Sequence, residues 1–184
     1  MISRRAILIE AARSKHGYLP GAEADVRNTH MLLLSDIGGA WRSDEIVVLS
    51  SPKRSRVDEE LRKAQSVGYA LVSFSGHGQH VIGYGYSETQ ICLNDNEDML
   101  VRDLNPGNDR CFVIADSCRK VTIVEGGRIQ LKDLQASYEM RKRYGFRERF
   151  DEAVSEAEKG CIFAYSCSQD EAAGESDNGG YFSR

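Results

Sequence analysis

Short apolar runs alternate with segments of helical period along this chain. Ala6 to Ala11, Glu45 to Leu49, Tyr69 to Phe74, Arg110 to Ala115 and Cys161 to Tyr165 read as five buried strands. Between them, Glu23 to Ser35, Val57 to Val67 and Glu148 to Glu158 read as amphipathic helices. In the first helix Val26, Met31, Leu33 and Leu34 give only a rough apolar face, and Gly38-Gly39 is placed to end it. Gly160 is placed to stop the last helix. Strand and helix in alternation predict an α/β fold, a mainly parallel central sheet flanked by helices.

Two long connections break this rhythm. Gln79 to Asp109 is predicted to hold a small hairpin around Gln90-Ile-Cys-Leu93 and a short helical piece near Met99 to Leu104. Lys120 to Arg147 is polar, highly charged and glycine-bearing at its start. Connections of this length in a compact domain are commonly functional or mobile. Both follow strands that end in reactive residues, so they are expected to wall an active-site cleft. Lys120 to Arg147 is the candidate regulatory element or partner-docking surface.

Those strand ends carry the chemistry. Ser75-Gly76-His77-Gly78 closes the third strand, and Asp116-Ser117-Cys118-Arg119 closes the fourth. Taken alone, Gly-His-Gly is a turn and a strand-end cysteine a packed thiol. On consecutive strands of one sheet they form a nucleophile and its base, because α/β sheets collect reactive groups at strand carboxyl ends. An imidazole can take the thiol proton during attack and return it to the leaving amine. Gly76 and Gly78 remove side-chain bulk where a substrate backbone approaches. The backbone N–H groups of Gly78 and Cys118 are candidates for an oxyanion hole. Ser75 is read as ending its strand.

Composition narrows the setting. The 184 residues are 41% hydrophobic, enough for one core and one domain. A net charge of −4 gives no footprint for nucleic acid, and Arg141-Lys142-Arg143, interleaved with acids, reads as a solvated helix face. Five cysteines without framework spacing predict reduced thiols; Cys111, Cys161 and Cys167 lie in or beside apolar runs, where buried thiols are common. There is no Cys-x-x-Cys pair, and the four histidines form no zinc pattern. The four-residue apolar run before Glu10 is too short for a signal peptide, and no stretch is long enough to span a bilayer. A cytoplasmic location follows as the expectation, with no membrane partner.

The two motifs together resemble those of caspase-like (clan CD, peptidase C14) cysteine peptidases, and more closely the paracaspase and metacaspase branches. Ser75-Gly-His-Gly78 is similar to the histidine motif of the whole group. Asp116-Ser-Cys-Arg-Lys120 resembles the paracaspase nucleophile motif, and its Asp-Ser-Cys also opens the metacaspase one. Gly21-Ala-Glu-Ala-Asp25 looks like the start of the family's first helix. Ala164-Tyr-Ser-Cys-Ser-Gln-Asp170 and Gly179-Gly-Tyr-Phe182 are similar to its fifth strand and the segment beyond. The resemblance covers nearly the whole chain. It implies a caspase-like three-layer sandwich and a cysteine endopeptidase with catalytic His77 and Cys118.

Its departures bear on specificity. Caspases that cleave after aspartate line their P1 pocket with arginines and a glutamine. Leu19 and Asp116 stand at two of those positions here. By resemblance Asp116 matches a paracaspase acid, Asp170 a metacaspase acid, and Asp25 an acid of the first helix. Converging carboxylates suit a guanidinium through bidentate, charge-assisted hydrogen bonds. Cleavage after arginine, and less well lysine, is the expectation, with a protein or peptide as substrate. Asp116 and Asp25 can also be read as cap or turn acids.

A non-catalytic caspase-homology scaffold or regulatory binding module is the alternative; retention of both His77 and Cys118 weighs against it. A receiver domain lacks support, since the first strand ends Ile9-Glu-Ala-Ala12 without an acid cluster. No cofactor is expected. Asn94-Asp-Asn-Glu-Asp98 could attract calcium, but it lacks the EF-hand glycine and distal glutamate and reads as a solvated turn. The sequence stops at Arg184, ahead of the last helix that the resemblance implies. Self-cleavage there, leaving a second chain from the C-terminal part, is one reading and a truncated chain another. Activation by a partner, a ligand or proteolysis is expected by analogy.

Overall fold

The computed structural model describes residues 2–83, 85–123, 145–176, 179–180 and 182. In chain order its elements are β1 (Arg4–Ala11), β2 (Arg13–Ser14), β3 (Gly17–Tyr18), α1 (Pro20–Leu34), β4 (Ile46–Ser50), α2 (Arg54–Ala64) and β5 (Tyr69–Gly76). There follow β6 (Gly78–Gly83), β7 (Tyr86–Cys92), β8 (Asp98–Leu100), β9 (Arg110–Asp116), β10 (Val121–Ile123) and α3 (Phe146–Glu156). The described chain closes with β11 (Gly160–Tyr165), β12 (Glu175–Ser176) and β13 (Gly179–Gly180). Short 3-10 turns lie at Ser43–Glu45 and Val101–Leu104.

Five strands form the central sheet in the order β11-β9-β5-β1-β4, every pair parallel. Parallel neighbours need a crossover between them, and α1 and α2 supply the first two. β1 is apolar at successive positions because both of its faces are covered. Ile7, Ile9 and Ala11 look one way, into a cluster with Val57, Leu61 and Ala64 of α2. Ala6 and Leu8 look the other, towards Val26 and Leu33 of α1 and the indole of Trp41. This period-two alternation sets three layers. Fully buried side chains such as Ile7, Ile9 and Phe74 each contribute about 1.5–3 kcal/mol of apolar transfer.

The strand order reverses between β1 and β5: the chain moves out to β4, then returns to the far side of β1. Carboxyl ends at such a switch point open a crevice. Beyond it stands a second, smaller sheet in the order β10-β6-β7-β8. The connection after β5 is therefore a three-stranded antiparallel unit, not one small hairpin. Gln90 to Cys92 lies inside strand β7, and the turn that joins β6 to β7 falls before Tyr86. Its apolar residues Ile91, Leu93, Met99, Val101 and Leu104 join the main core, which fixes this unit against the domain. The helical piece is the 3-10 turn Val101–Leu104.

Boundaries differ from the predicted ones for local reasons. α1 begins at Pro20, whose fixed φ suits the first helical turn. It stops at Ser35, before the two glycines: the Ser35 hydroxyl donates to Leu32 O (2.6 Å) and accepts from Gly38 N (3.3 Å). Gly38 then packs so tightly on Leu32 O that a Cβ would stand 1.9 Å from it. α2 ends at Ala64, short of Val67, and α3 ends at Glu156, four positions before Gly160. Residues 124–144, including most of the proposed regulatory connection and Arg141-Lys142-Arg143, lie outside the described residues, as does Arg184. Among the described residues no helix is long and apolar enough to cross a membrane.

Candidate active site

The register of the central sheet brings the two motifs to one level. Ser75 lies beside Glu10 on one side and Asp116 on the other, and Gly76 lies beside Ala11. His77 and the segment Ser117-Cys118 therefore leave adjacent strands together. The glycines flanking His77 are required by this close assembly. A Cβ at Gly76 would come 2.8 Å from Ala11 O, and one at Gly78 would come 2.7 Å from Ser117 Oγ and 3.0 Å from Gln90 O. Their first role is thus to let protein neighbours close in, which the sequence had suggested they did for a substrate.

His77 is half-buried and held at both backbone and ring. Its carbonyl accepts from Cys92 N at 2.9 Å. The Gly17 backbone, in the tight β2–β3 turn, is a hydrogen-bonding neighbour of the ring, while Nε2 is buried and has no hydrogen-bond partner among the described residues. Gly17 takes φ +113°, a left-handed conformation that suits glycine. The β2–β3 turn is tied down by the Lys15–Asp98 pair at 2.8 Å. The His16 ring lies 5.8 Å from that of His77 at 52°. Burial pushes the His77 proton affinity below the usual imidazole value, and charge on His16 adds to this; the Gly17 backbone works in the opposite direction. Burial thus favours the neutral imidazole, the form a general base needs. His80, three residues on, is the contrast: its Nδ1 meets Thr89 Oγ1 (3.1 Å), and its Nε2 meets Ser87 Oγ and the Gln169 amide (2.8 Å each). It is a satisfied core histidine.

Cys118 is also half-buried, its Sγ 4.0 Å from Ala173 O. Its neighbours hold it from both sides. Ser117 N donates to Ser166 Oγ (3.2 Å), and Ser117 O accepts from Cys167 Sγ (3.4 Å). Arg119 turns inward, donating to Thr89 Oγ1 (3.0 Å) and Cys167 O (3.2 Å), with its guanidinium 4.0 Å from the Tyr165 ring centroid. Burial lowers its pKa from the ordinary arginine value. The Arg119 backbone is bonded to Glu171 O and Asp170 N, both at 2.9 Å. These contacts pin the Ser117–Arg119 loop to the β6–β7 hairpin and to the segment after β11.

β6 aims its backbone at the same loop. His77 and Cys92 face each other as a hydrogen-bonded pair, so Gly78 and His80 belong to the alternate set that points away from β7. His80 N indeed donates to Lys120 O at 2.9 Å. The Gly78 N–H, two residues earlier, lies on the same edge, away from β7.

Of the three candidate pocket acids, two are gathered and one stands apart. Asp25 is buried on α1; Oδ2 accepts from Ser75 Oγ and Oδ1 from Gly180 N, both at 2.7 Å. Asp116, also buried, packs on the same glycine, where a Gly180 Cβ would stand 2.8 Å from Oδ2. Asp170 is exposed in a left-handed turn (φ +68°), and its Oδ1 lies 3.4 Å from Val121 N. It flanks the Ser117–Arg119 loop on the side of Arg119. Ser75 does more than end its strand: it orients Asp25. Gly17, His16, Ser117, Arg119 and Gly180 escaped the sequence as site residues. For Gly17 and Gly180 the working group is main chain, which no residue type announces; Arg119 stood inside the motif, but an inward arginine cannot be told from an exposed one by spacing.

The acidic run at 94–98 is committed locally. Asn94 Oδ1 caps Asn96 N and Glu97 N, its amide donates to Pro52 O and Glu97, and Asp98 pairs with Lys15. Among the described residues no group of three or more His, Cys, Asp or Glu side chains could hold a metal ion.

Comparison with solved structures places this arrangement among known folds. The chain is similar to the crystal structure of caspase-1 from Spodoptera frugiperda, with 15% identity and a TM-score of 0.55, over 97% of this chain and 64% of that one. It therefore spans less than two thirds of the length of that protein. The structure of pro-sf-caspase-1 matches at 12% identity and a TM-score of 0.41, over 79% of this chain and 56% of that one. No curated protein matches. The family model of the caspase domain, peptidase C14, matches residues 3–184, and the chain belongs to that family.

Proposed function

We propose that this protein is a cysteine endopeptidase that cleaves after basic residues, arginine better than lysine. Cys118 Sγ attacks the scissile carbonyl as His77 Nε2 takes its proton. The same nitrogen returns the proton to the leaving amine, and water then resolves the acyl-enzyme with His77 again acting as base. The N–H groups of Gly78 and Cys118 receive the oxyanion. Asp116 and Asp25 bind the P1 cation from the Gly180 side, and Asp170 approaches it from the Arg119 side. A protein or peptide is the substrate, and a partner, ligand or cleavage event is the activator.

The observation that carries this reading is His77: its buried Nε2 has no hydrogen-bond partner among the described residues, at the end of the strand next to the one that delivers Cys118. A structural histidine in such a position would be saturated, as His80 is. The test is hydrolysis of matched fluorogenic peptides ending in Arg, Lys or Asp, by the wild type and Cys118→Ala, with calcium and with a chelator. Cleavage after Arg that vanishes in the variant is the expected result. Preference for Asp would overturn the pocket assignment, and cleavage that survives in Cys118→Ala would overturn the nucleophile.

A further inference from the structure

His80 ties together the three segments that meet around Cys118. The residue is only 2% exposed. Its backbone N–H donates to Lys120 O at 2.9 Å. It lies opposite Thr89 in the β6–β7 register, and ring Nδ1 meets Thr89 Oγ1 at 3.1 Å. The same hydroxyl oxygen accepts from Arg119 Nε at 3.0 Å, so imidazole and guanidinium share one atom. At the far side of the ring, Nε2 meets Ser87 Oγ and the Gln169 amide nitrogen, at 2.8 Å each. Gln169 precedes Asp170, whose N–H donates to Arg119 O at 2.9 Å. One imidazole thus joins the β6–β7 hairpin, the Ser117–Arg119 loop and the segment after β11.

These surroundings suit a neutral ring. An amide N–H aimed at Nε2 needs a lone pair there; a protonated Nε2 would set donor against donor or force the amide to turn over. Arg119 brings a positive charge and pairs with no carboxylate among the described residues; Tyr165 and Cys167 lie beyond its guanidinium. On β7, Glu88 is engaged by Arg102 at 2.6 Å. On the segment after β11, Glu171 accepts from Ser168 N (3.0 Å) and Asp170 Oδ1 lies 3.4 Å from Val121 N. β10 carries no charged residue, and Lys120 before it is exposed. Burial first, then the Arg119 charge, holds the proton affinity of His80 below the ordinary imidazole value, while Glu88 works the other way. We propose that His80 is a positioning residue for Cys118, and that its protonation releases the Ser117–Arg119 loop. A proton taken from water onto Nε2 displaces the Gln169 amide and sets a second cation beside Arg119. The contacts must then open to hydrate the ring. An exposed imidazole holds its proton more tightly than this buried one. The anchor is therefore at full strength above the ordinary value of about 6.5 and weakens by up to about tenfold per pH unit below it.

The proposal rests on Cys118 being the nucleophile, but its first readout does not. Amide hydrogen exchange at His80, Arg119 and Asp170 is followed from about pH 7.5 to about pH 5 and corrected for the intrinsic rate. In the wild type, protection at these three amides should fall by up to about tenfold per pH unit below about 6.5, while Leu8 and Ile9 in β1 stay protected. His80→Gln keeps an acceptor but cannot ionise, and its protection should not vary with pH. Gln169→Glu sets a carboxylate against the ring, which raises the folded pKa of His80 above its unfolded value. Its protection should rise as pH falls, the reverse of the wild type, which a role in packing alone does not predict. Wild-type protection that ignores pH would overturn the proposal, as would a pH dependence that survives in His80→Gln. An unchanged trend in Gln169→Glu would do so even if His80→Gln failed to fold. On an arginine peptide, kcat/KM should drop on the acid side by up to about a hundredfold per pH unit in the wild type, as His77 and His80 both charge, and by about tenfold in His80→Gln. The expected exchange in a protein without peptidase activity would keep the anchor and overturn the peptidase; an active enzyme with pH-independent exchange would do the reverse.

Discussion

The two ends of the central sheet both bury carboxylates, and they treat them differently. At the amino end, Arg4 of β1 is fully buried between Glu45 (3.7 Å) and Asp151 (3.5 Å), donates to Gly39 O (3.0 Å) and lies over the rings of Trp41 and Phe150. Arg147 of α3 also donates to Glu45 at 2.9 Å. Burial alone would raise the Glu45 carboxyl, but Arg147, the Arg42 backbone and Arg4 together hold it below its ordinary value. At the carboxyl end, Asp25 receives a hydroxyl and a backbone N–H, both neutral donors, and pairs with no cation among the described residues. Charges matched inside the fold tie β1, the turn before β4 and α3 into one body. An acid held only by neutral donors is positioned without an internal cation. The first arrangement serves the fold; the second suits an incoming cationic side chain.

The contrast can be broken or sharpened at four positions. Cys118→Ala has the largest expected effect, loss of peptide hydrolysis by about 10⁴-fold or more, measured as kcat/KM on an arginine peptide with unfolding unchanged. Next, Arg4→Met should cost about 3–5 kcal/mol in denaturant unfolding, because it leaves Asp151 buried without its nearest cation. The same variant should keep the wild-type order of Arg over Lys over Asp peptides; a changed order would dissolve the division between the two ends.

Asp25→Asn is the counterpart at the other end. Neutralising it should lower kcat/KM for arginine peptides about 10–100-fold while shifting unfolding by only about 1 kcal/mol. If stability fell as much as in Arg4→Met and specificity stayed intact, Asp25 would be a structural acid. The smallest effect is expected from His16→Gln. With the folded His77 pKa held below the usual imidazole value, wild-type kcat/KM should lose activity only as pH falls below that value. Removing the charge of His16 lets the His77 pKa rise, so the acid limb of the profile moves towards neutral pH. An unmoved limb would show that the 5.8 Å ring contact carries no electrostatic influence.

Much of this was legible because the signals were local. Buried parallel strands must be apolar on both faces, so Ala6 to Ala11 and Tyr69 to Phe74 announced themselves within a residue or two. The second sheet was not legible. β6 begins immediately after His77, and β10 pairs with it from beyond β9, across a separation no periodicity records. Cys167 shows the same limit: beside an apolar run it looked like a buried thiol, and only the β9–β11 register put it at Ser117.

By itself, then, the sequence determined the order of the five central strands and the three helices, the three-layer α/β class and the two strand ends that carry His77 and Cys118. Hydrophobic period and motif chemistry are properties of neighbouring residues. The tertiary structure alone decided which nitrogen of His77 lacks a partner, which of Asp25, Asp116 and Asp170 share one glycine, and which cysteine stands beside Ser117. Each of these depends on groups far apart in the chain. Several of those groups are backbone atoms that every residue carries, so only the fold can bring them to one place.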